Sequence, residues 1–257
     1  MLLDAMENRS TASQGSLLIR SNRMLDAAHE KLRFAKEQLE IQDEIHISLP
    51  KTYVPNGKMI LEIEHLIFCY HQTTEPLISD FSLTIQGAER IALCGENGSG
   101  KTTLIKLILN QLKPSHGKIY LGTERINYLD QHASQLNPEL SILDNFLQLN
   151  VDATENEAYQ ALAQFLFKNV SANKLVKYLS GGEKLRALLA CTLKSSNPPQ
   201  LLILDEPTNH LDLNSMKSIE SALKNYQGAM IVISHDQTFL ESITVERIIY
   251  APFKSSI

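Results

Sequence analysis

R-I-A-L-C-G-E-N-G-S-G-K-T-T-L-I (90–105) joins a short apolar run to a glycine-rich turn and then to a helical pattern. The turn, Gly95 to Thr103, fits G-x-x-x-x-G-K-[ST], which arises by chance in about one chain in a hundred of this length. Its place between an expected central strand and an expected helix is the context that makes the pattern meaningful. Glycines let the backbone curl so that several N–H groups point at one anion, and the helix start adds its positive end. The nine residues Gly95, Glu96, Asn97, Gly98, Ser99, Gly100, Lys101, Thr102 and Thr103 are therefore expected to cradle a triphosphate. Lys101 would reach the β- and γ-phosphates, and the Thr102 hydroxyl would take one Mg²⁺ position.

Working outward, L-L-I-L-D-E-P-T-N-H-L-D (201–212) ends an apolar strand in two acids. In an α/β sheet, ligands collect beyond the carboxyl ends of the strands. Asp205 is thus expected to hold Mg²⁺ and Glu206 to act as general base on an attacking water. Neighbouring strand residues face opposite ways, so both acids serve one site only if the chain turns at once. Pro207 is consistent with such a turn.

Around these two stretches the order is strand, helix, strand. L-E-I-E (61–64) and F-S-L-T-I-Q (81–86) alternate as half-buried strands do, and 230–234 reads as another buried strand. A helix with Leu104, Leu107, Ile108 and Leu112 inward follows the glycine turn, and one with Met216, Ile219, Leu223 and Tyr226 inward stops at Gly228. Residues 139–195 are mostly helical, with a capping box at Thr154 and Glu157. The expected fold class is α/β: a mostly parallel core sheet, flanking helices, an antiparallel part and a helical insert at about 132–195.

Residues 1–58 read as a separate segment. Leu18, Leu25, Leu32 and Leu39 recur every seven residues, with Ala28 and Ala35 three after a leucine. That is either a coiled-coil seam or an amphipathic helix lying on its own domain. The 257 residues otherwise suit one large domain, 59–257, and 43% apolar residues suffice for its core. A net charge of −5 excludes a wholly basic nucleic-acid binder. Cys69, Cys94 and Cys191 lack metal-ligand spacing and read as reduced, buried thiols. No run approaches the ~20 apolar residues of a membrane helix, and the N-terminus does not follow signal-peptide order. A soluble cytoplasmic chain without membrane insertion is the expectation.

L-S-G-G-E-K-L-R (179–186) opens another helix. Ser180 and Glu183 form a capping box on the plain reading. The glycines Gly181 and Gly182 also bare helix N–H groups, which makes a second anion site.

Taken in order, the phosphate loop, L-S-G-G-E, L-L-I-L-D-E-P and I-S-H-D (233–236) resemble the ATP-binding cassette (ABC) ATPases across about residues 59–250. The resemblance implies ATP and Mg²⁺ as ligands and a second cassette as partner, packed head to tail. Ser180, Gly181 and Gly182 would then contact the γ-phosphate in trans. By the same resemblance Gln131, ending Y-L-D-Q, senses Mg²⁺ and the lytic water, and His235 contacts the γ-phosphate, although a histidine ending an apolar strand can also be core. Tyr70 falls where the family stacks adenine, and 209–212 matches the loop that crosses the dimer interface.

The spellings L-S-G-G-E-K-L-R and D-E-P-T-N-H-L-D are similar to the ABC-F group, whose members lack membrane domains. Many act on ribosomes, and some protect them from antibiotics. Such proteins carry two cassettes joined by a helical linker, so the chain resembles a C-terminal cassette with the end of that linker. Residues 1–58 hold eight Lys/Arg and eight Asp/Glu, a balance that supplies no electrostatic pull toward rRNA. Two alternatives stand beside this one: the ATP-binding subunit of a transporter docking on a separate membrane protein, and a hydrolysis-deficient half that binds nucleotide and acts as an interaction module.

Overall fold

A computed structural model describes residues 47–70, 75–130, 133–209 and 211–253. The heptad segment, Gln131 and His210 lie outside these described residues.

Among the described residues eight strands form two sheets. β1 (Met59–Phe68), β2 (Ile78–Gln86) and β4 (His116–Leu121) make an antiparallel sheet in the order β2-β1-β4. β3 (Arg90–Cys94), β5 (Ile126–Leu129), β6 (Leu201–Asp205), β7 (Ala229–Ile233) and β8 (Arg247–Tyr250) make a sheet in the order β5-β6-β7-β3-β8, every pair in it parallel. The helices are α1 (Lys101–Ile108), α2 (Ile142–Leu149), α3 (Glu155–Gln164), α4 (Gly181–Leu193), α5 (Leu213–Asn225) and α6 (Gln237–Ser242).

The parallel strands are apolar throughout because both of their faces are covered. Their residues alternate between two cores. Ala92, Leu202, Leu204, Met230 and Val232 point into a core shared with α2 to α5. Ile91, Leu93, Leu201, Ile203, Ile231 and Ile233 point into the other, shared with α1 and the antiparallel sheet. α1 and α4 therefore pack on opposite faces of one sheet, which governs the site below.

Two boundaries differ from the sequence expectation. Periodicity carries the first helix to Leu112, but α1 stops at Ile108, because Asn110 takes φ 56° and turns the chain out of the helix. Leu112 packs against the core from beyond the helix end. Likewise α5 stops at Asn225, and Tyr226 lies in extended conformation with its ring buried and its hydroxyl donating to the Pro199 carbonyl at 3.0 Å. A Cβ at Gly228 would lie 2.3 Å from that hydroxyl oxygen, so the glycine is there for close approach rather than to stop the helix. Of the three thiols, only Cys191 is fully buried; Cys69 and Cys94 are half-buried, and all three are free.

Arg90 ties the ends of two helices together. Its guanidinium donates to the carbonyls of Ile243 at 2.5 Å, Tyr226 at 2.5 Å and Lys224 at 3.2 Å, and to the Thr244 hydroxyl at 3.0 Å. One buried cation thus satisfies the last carbonyls of both α5 and α6, where the helix dipoles favour positive charge.

The segment before β1 is also anchored. Ile47, Leu49 and Val54 are buried, the Val54 amide donates to the Gln227 carbonyl at 3.1 Å, and Lys194 donates to the Ser48 carbonyl at 2.7 Å.

Candidate functional site

Parallel pairing brings the carboxyl ends of β3, β5, β6 and β7 to one edge of the sheet. β3 delivers the glycine loop, β6 delivers Asp205 and Glu206, β7 delivers His235, and β5 ends just before Gln131, which lies outside the described residues. Residues more than a hundred apart in sequence meet there because the topology allows nothing else.

Gly95, Gly98 and Gly100 have φ of 144°, 81° and 101°, values that side chains disfavour, and Gly100 is the N-cap of α1. A Cβ at Gly98 would meet nothing within 4 Å, so the loop is open on that side. Lys101 is buried and folds back, its Nζ donating to the carbonyls of Gly95 at 2.5 Å and Glu96 at 2.9 Å. The ammonium is thereby fixed within the loop. Glu96, Asn97 and Thr102 are exposed, and Thr103 is buried. The Ser99 Oγ is buried without a hydrogen-bond partner in its surroundings. A loop that carries an orphaned hydroxyl, left-handed glycines and a held ammonium fits an anionic ligand better than a packed turn.

The acid pair works through backbone conformation. Asp205 completes β6, and its neighbour turns at once: Glu206 takes φ 48°, which costs a non-glycine residue about 1–2 kcal/mol. Its amide still donates to the Ile233 carbonyl at 2.9 Å, so the strand pairing is used to its last residue. The turn demanded by two acids in sequence is made at Glu206 itself, and Pro207 follows it. Burial pushes the Glu206 carboxyl up and Asp205 adds to this, while His235 and Lys101 oppose it; the net direction is upward. The imidazole Nε2 of His235 lies 3.5 Å from Glu206 Oε1. His235 is half-exposed and therefore no core histidine.

Tyr128, which the sequence reading passes over, joins this group. Its hydroxyl donates to Asp205 Oδ2 at 2.8 Å, and burial with that bond pushes the phenol up. A strand of four residues, 126–129, gives too short a period to be read, so neither β5 nor the reach of Tyr128 was visible in the chain.

Tyr70 stands edge-on to Phe68 at 4.9 Å, and its hydroxyl bonds with the Thr103 hydroxyl at 3.0 Å, which places its partly exposed ring beside the start of α1.

Ser180 caps α4 as the spelling implies: its hydroxyl accepts from the Glu183 amide at 3.2 Å, and Glu183 accepts from the Ser180 amide at 2.9 Å. The two glycines part company. A Cβ at Gly182 would lie 2.7 Å from the Ser215 Cβ, so this glycine lets α4 pack on α5. At Gly181 nothing lies within 4 Å, and its surface is open. Because α1 and α4 occupy opposite faces of the sheet, the two helix tips belong to different layers of one chain. In the loop 209–212, Asp212 is the N-cap of α5, accepting from the amides of Asn214 and Ser215 at 3.0 and 2.9 Å.

Among the described residues no cluster of three or more His, Cys, Asp or Glu could hold a metal alone. Mg²⁺ is bound through one or two protein oxygens together with substrate phosphates rather than in an all-protein cage, and the Asp205 carboxylate and the exposed Thr102 hydroxyl are oxygens of that kind. Among the described residues no helix is long and apolar enough to cross a membrane.

The ABC transporter family model matches residues 78–209. The ATP-binding protein Uup of Escherichia coli is 40% identical over 74% of this chain and 30% of its own length. A Uup-like ATP-binding protein of Haemophilus influenzae is 37% identical over 93% of this chain and 50% of its own. ABC transporter F family member 2 of Arabidopsis thaliana is 32% identical over 87% and 33%. The chain thus spans between 30% and 50% of the length of these relatives. An ATP-binding cassette solved as a dimer in a post-hydrolysis state with ADP and Pi superposes with a TM-score of 0.63 at 24% identity, over 75% of this chain and 94% of that one, which shows a shared fold. By its family model, its relatives and its layered P-loop fold, the chain belongs to the ABC ATPases, in their F group.

Proposed function

We propose that this chain binds Mg·ATP at the carboxyl edge of its parallel sheet and hydrolyses it once a second cassette closes over the nucleotide. The observation that carries this reading is the convergence of loop 95–103, Asp205, Glu206 and His235 on one edge, with Glu206 turned out of the strand toward His235.

The loop amides and Lys101 would hold the phosphates, and Tyr70 would stack on adenine. Thr102 and Asp205 would hold Mg²⁺, with Gln131 as its further contact; when bound, the ion would neutralise charge developing on the phosphate oxygens. Glu206, made a stronger base by burial, takes the proton of the attacking water at its carboxylate. His235 both orients that carboxylate and faces the γ-phosphate.

Ser180 and Gly181 would meet the γ-phosphate of a second cassette, either a copy of this chain or the cassette that precedes it in a longer protein. Two things support completion in trans: the open tip of α4 and its place on the opposite layer from α1. In a symmetric pair each tip would meet the other molecule's loop. From the resemblance of its motifs to the ABC-F group, we infer that the chain acts in the cytoplasm on the ribosome during translation, where protection from antibiotics is one outcome of that action.

Steady-state ATP hydrolysis, with Glu206→Gln as comparison, tests the enzymatic part. Turnover that falls while ATP binding persists supports it, and unchanged turnover removes Glu206 as base. Co-sedimentation with ribosomes in the presence of a slowly hydrolysed ATP analogue tests the ribosomal part, and the chain staying in the supernatant sinks it.

A further inference from the structure

The Asp205 carboxylate does not stand free at the end of β6. Tyr128 pairs with Ile203 in the parallel register of β5 and β6, so its side chain shares a face with the residue two places on, Asp205. The phenol spans the diagonal and donates to Oδ2 at 2.8 Å. The strand that carries it is held in turn. Gln135 donates to the Tyr128 carbonyl at 2.5 Å and to Asn127 Oδ1 at 3.2 Å, and the Asp130 carboxylate accepts from the Ser134 amide at 3.1 Å. Tyr128 also packs its ring against the core shared by α1 and the antiparallel sheet.

A lone aspartate at a strand end rotates freely about its last torsion. Mg²⁺ requires close to octahedral geometry and gives up its waters reluctantly, so an acid that must be ordered on each binding event binds it more weakly. We propose that Tyr128 is a positioning residue for the metal site: by fixing Oδ2 it leaves Oδ1 of Asp205 directed at the ion or its water. This rests on the reading of Asp205 as the acid that holds Mg²⁺.

Outer contacts of this kind alter metal affinity by about 10–100-fold. The test is the affinity of a fluorescent ATP analogue with saturating Mg²⁺ and, separately, in EDTA, for the wild-type chain, Tyr128→Phe, Asp205→Asn and the double variant. Tyr128→Phe keeps the ring and its packing. The expected result is an unchanged affinity in EDTA, an affinity about tenfold weaker with Mg²⁺, and no further loss when Tyr128→Phe is added to Asp205→Asn. Equal weakening with and without Mg²⁺, or none in either, overturns the proposal, as does an additive loss in the double variant. A wild-type chain whose nucleotide affinity ignores Mg²⁺ refutes the reading of Asp205 beneath it, which is a different and recognisable failure.

Discussion

Glu206 Oε1 and His235 Nε2 lie 3.5 Å apart across the ends of β6 and β7, joined by no sequence neighbour and brought together by the parallel pairing of their strands. The contact exists because Glu206 adopts a left-handed backbone where the strand stops. A carboxylate so turned loses water on one side and gains an imidazole on the other. Removing its charge while keeping its shape should separate binding from chemistry. Glu206→Gln is expected to slow hydrolysis by ~10²–10⁴, with ATP binding retained and a closed two-cassette complex accumulating in size-exclusion runs.

The same carboxyl sets a pH dependence. Burial and Asp205 raise its pKa above the ordinary 4.5. The acid limb of the hydrolysis rate should therefore fall at a higher pH than an ordinary glutamate gives, and Glu206→Gln should lose that limb along with its rate. Stability runs in the opposite sense. A group whose folded pKa is raised stabilises the fold fully below its unfolded pKa, and that contribution is lost as pH rises through the folded one. Melting temperatures should show Glu206→Gln slightly above wild type at neutral pH and equal to it in acid, where both side chains are uncharged.

Ser180 combines a structural and a proposed functional role, and the capping box lets them be told apart. Ser180→Ala and Glu183→Ala each break one half of the cap and should each cost about 1 kcal/mol by chemical denaturation. Only Ser180→Ala should also lower turnover, by about tenfold or more, because only Ser180 is proposed to meet phosphate. Equal losses of turnover in the two variants would reduce the L-S-G-G-E segment to a helix cap.

Arg90 makes a prediction independent of nucleotide. Arg90→Met would leave the carbonyls of Ile243 and Tyr226 buried without donors. At a cost of about 1–3 kcal/mol for each such group, the urea midpoint should fall by an amount equivalent to ~3 kcal/mol or more. A variant as stable as wild type would show that water reaches those carbonyls.

The glycine turn 95–103, the acid pair and the capping boxes are legible in the chain because each is local: spacing and residue type decide them within a few positions. The buried strands β6 and β7 were legible for the same reason, since uninterrupted apolar runs require cover on both faces; that their residues alternate between two cores is seen only in the structure. What escaped was made at a distance. β5 and β8 are four-residue strands recognisable only by their partners, and Tyr128 reaches Asp205 through a register that no window along the chain contains. Asp212, matched to an interface loop by resemblance, is placed by the structure as the N-cap of α5. Gly228 falls where periodicity expects a helix stop, and in the structure it leaves the space that the Tyr226 ring occupies.

Titration calorimetry of the purified chain with Mg²⁺ and a slowly hydrolysed ATP analogue tests the central claim most directly. The account predicts saturable binding to one site per chain that Lys101→Ala abolishes or weakens by orders of magnitude while the fold stays intact by circular dichroism. Heat of dilution alone from the wild-type chain, or an isotherm that Lys101→Ala leaves unaltered, would contradict it.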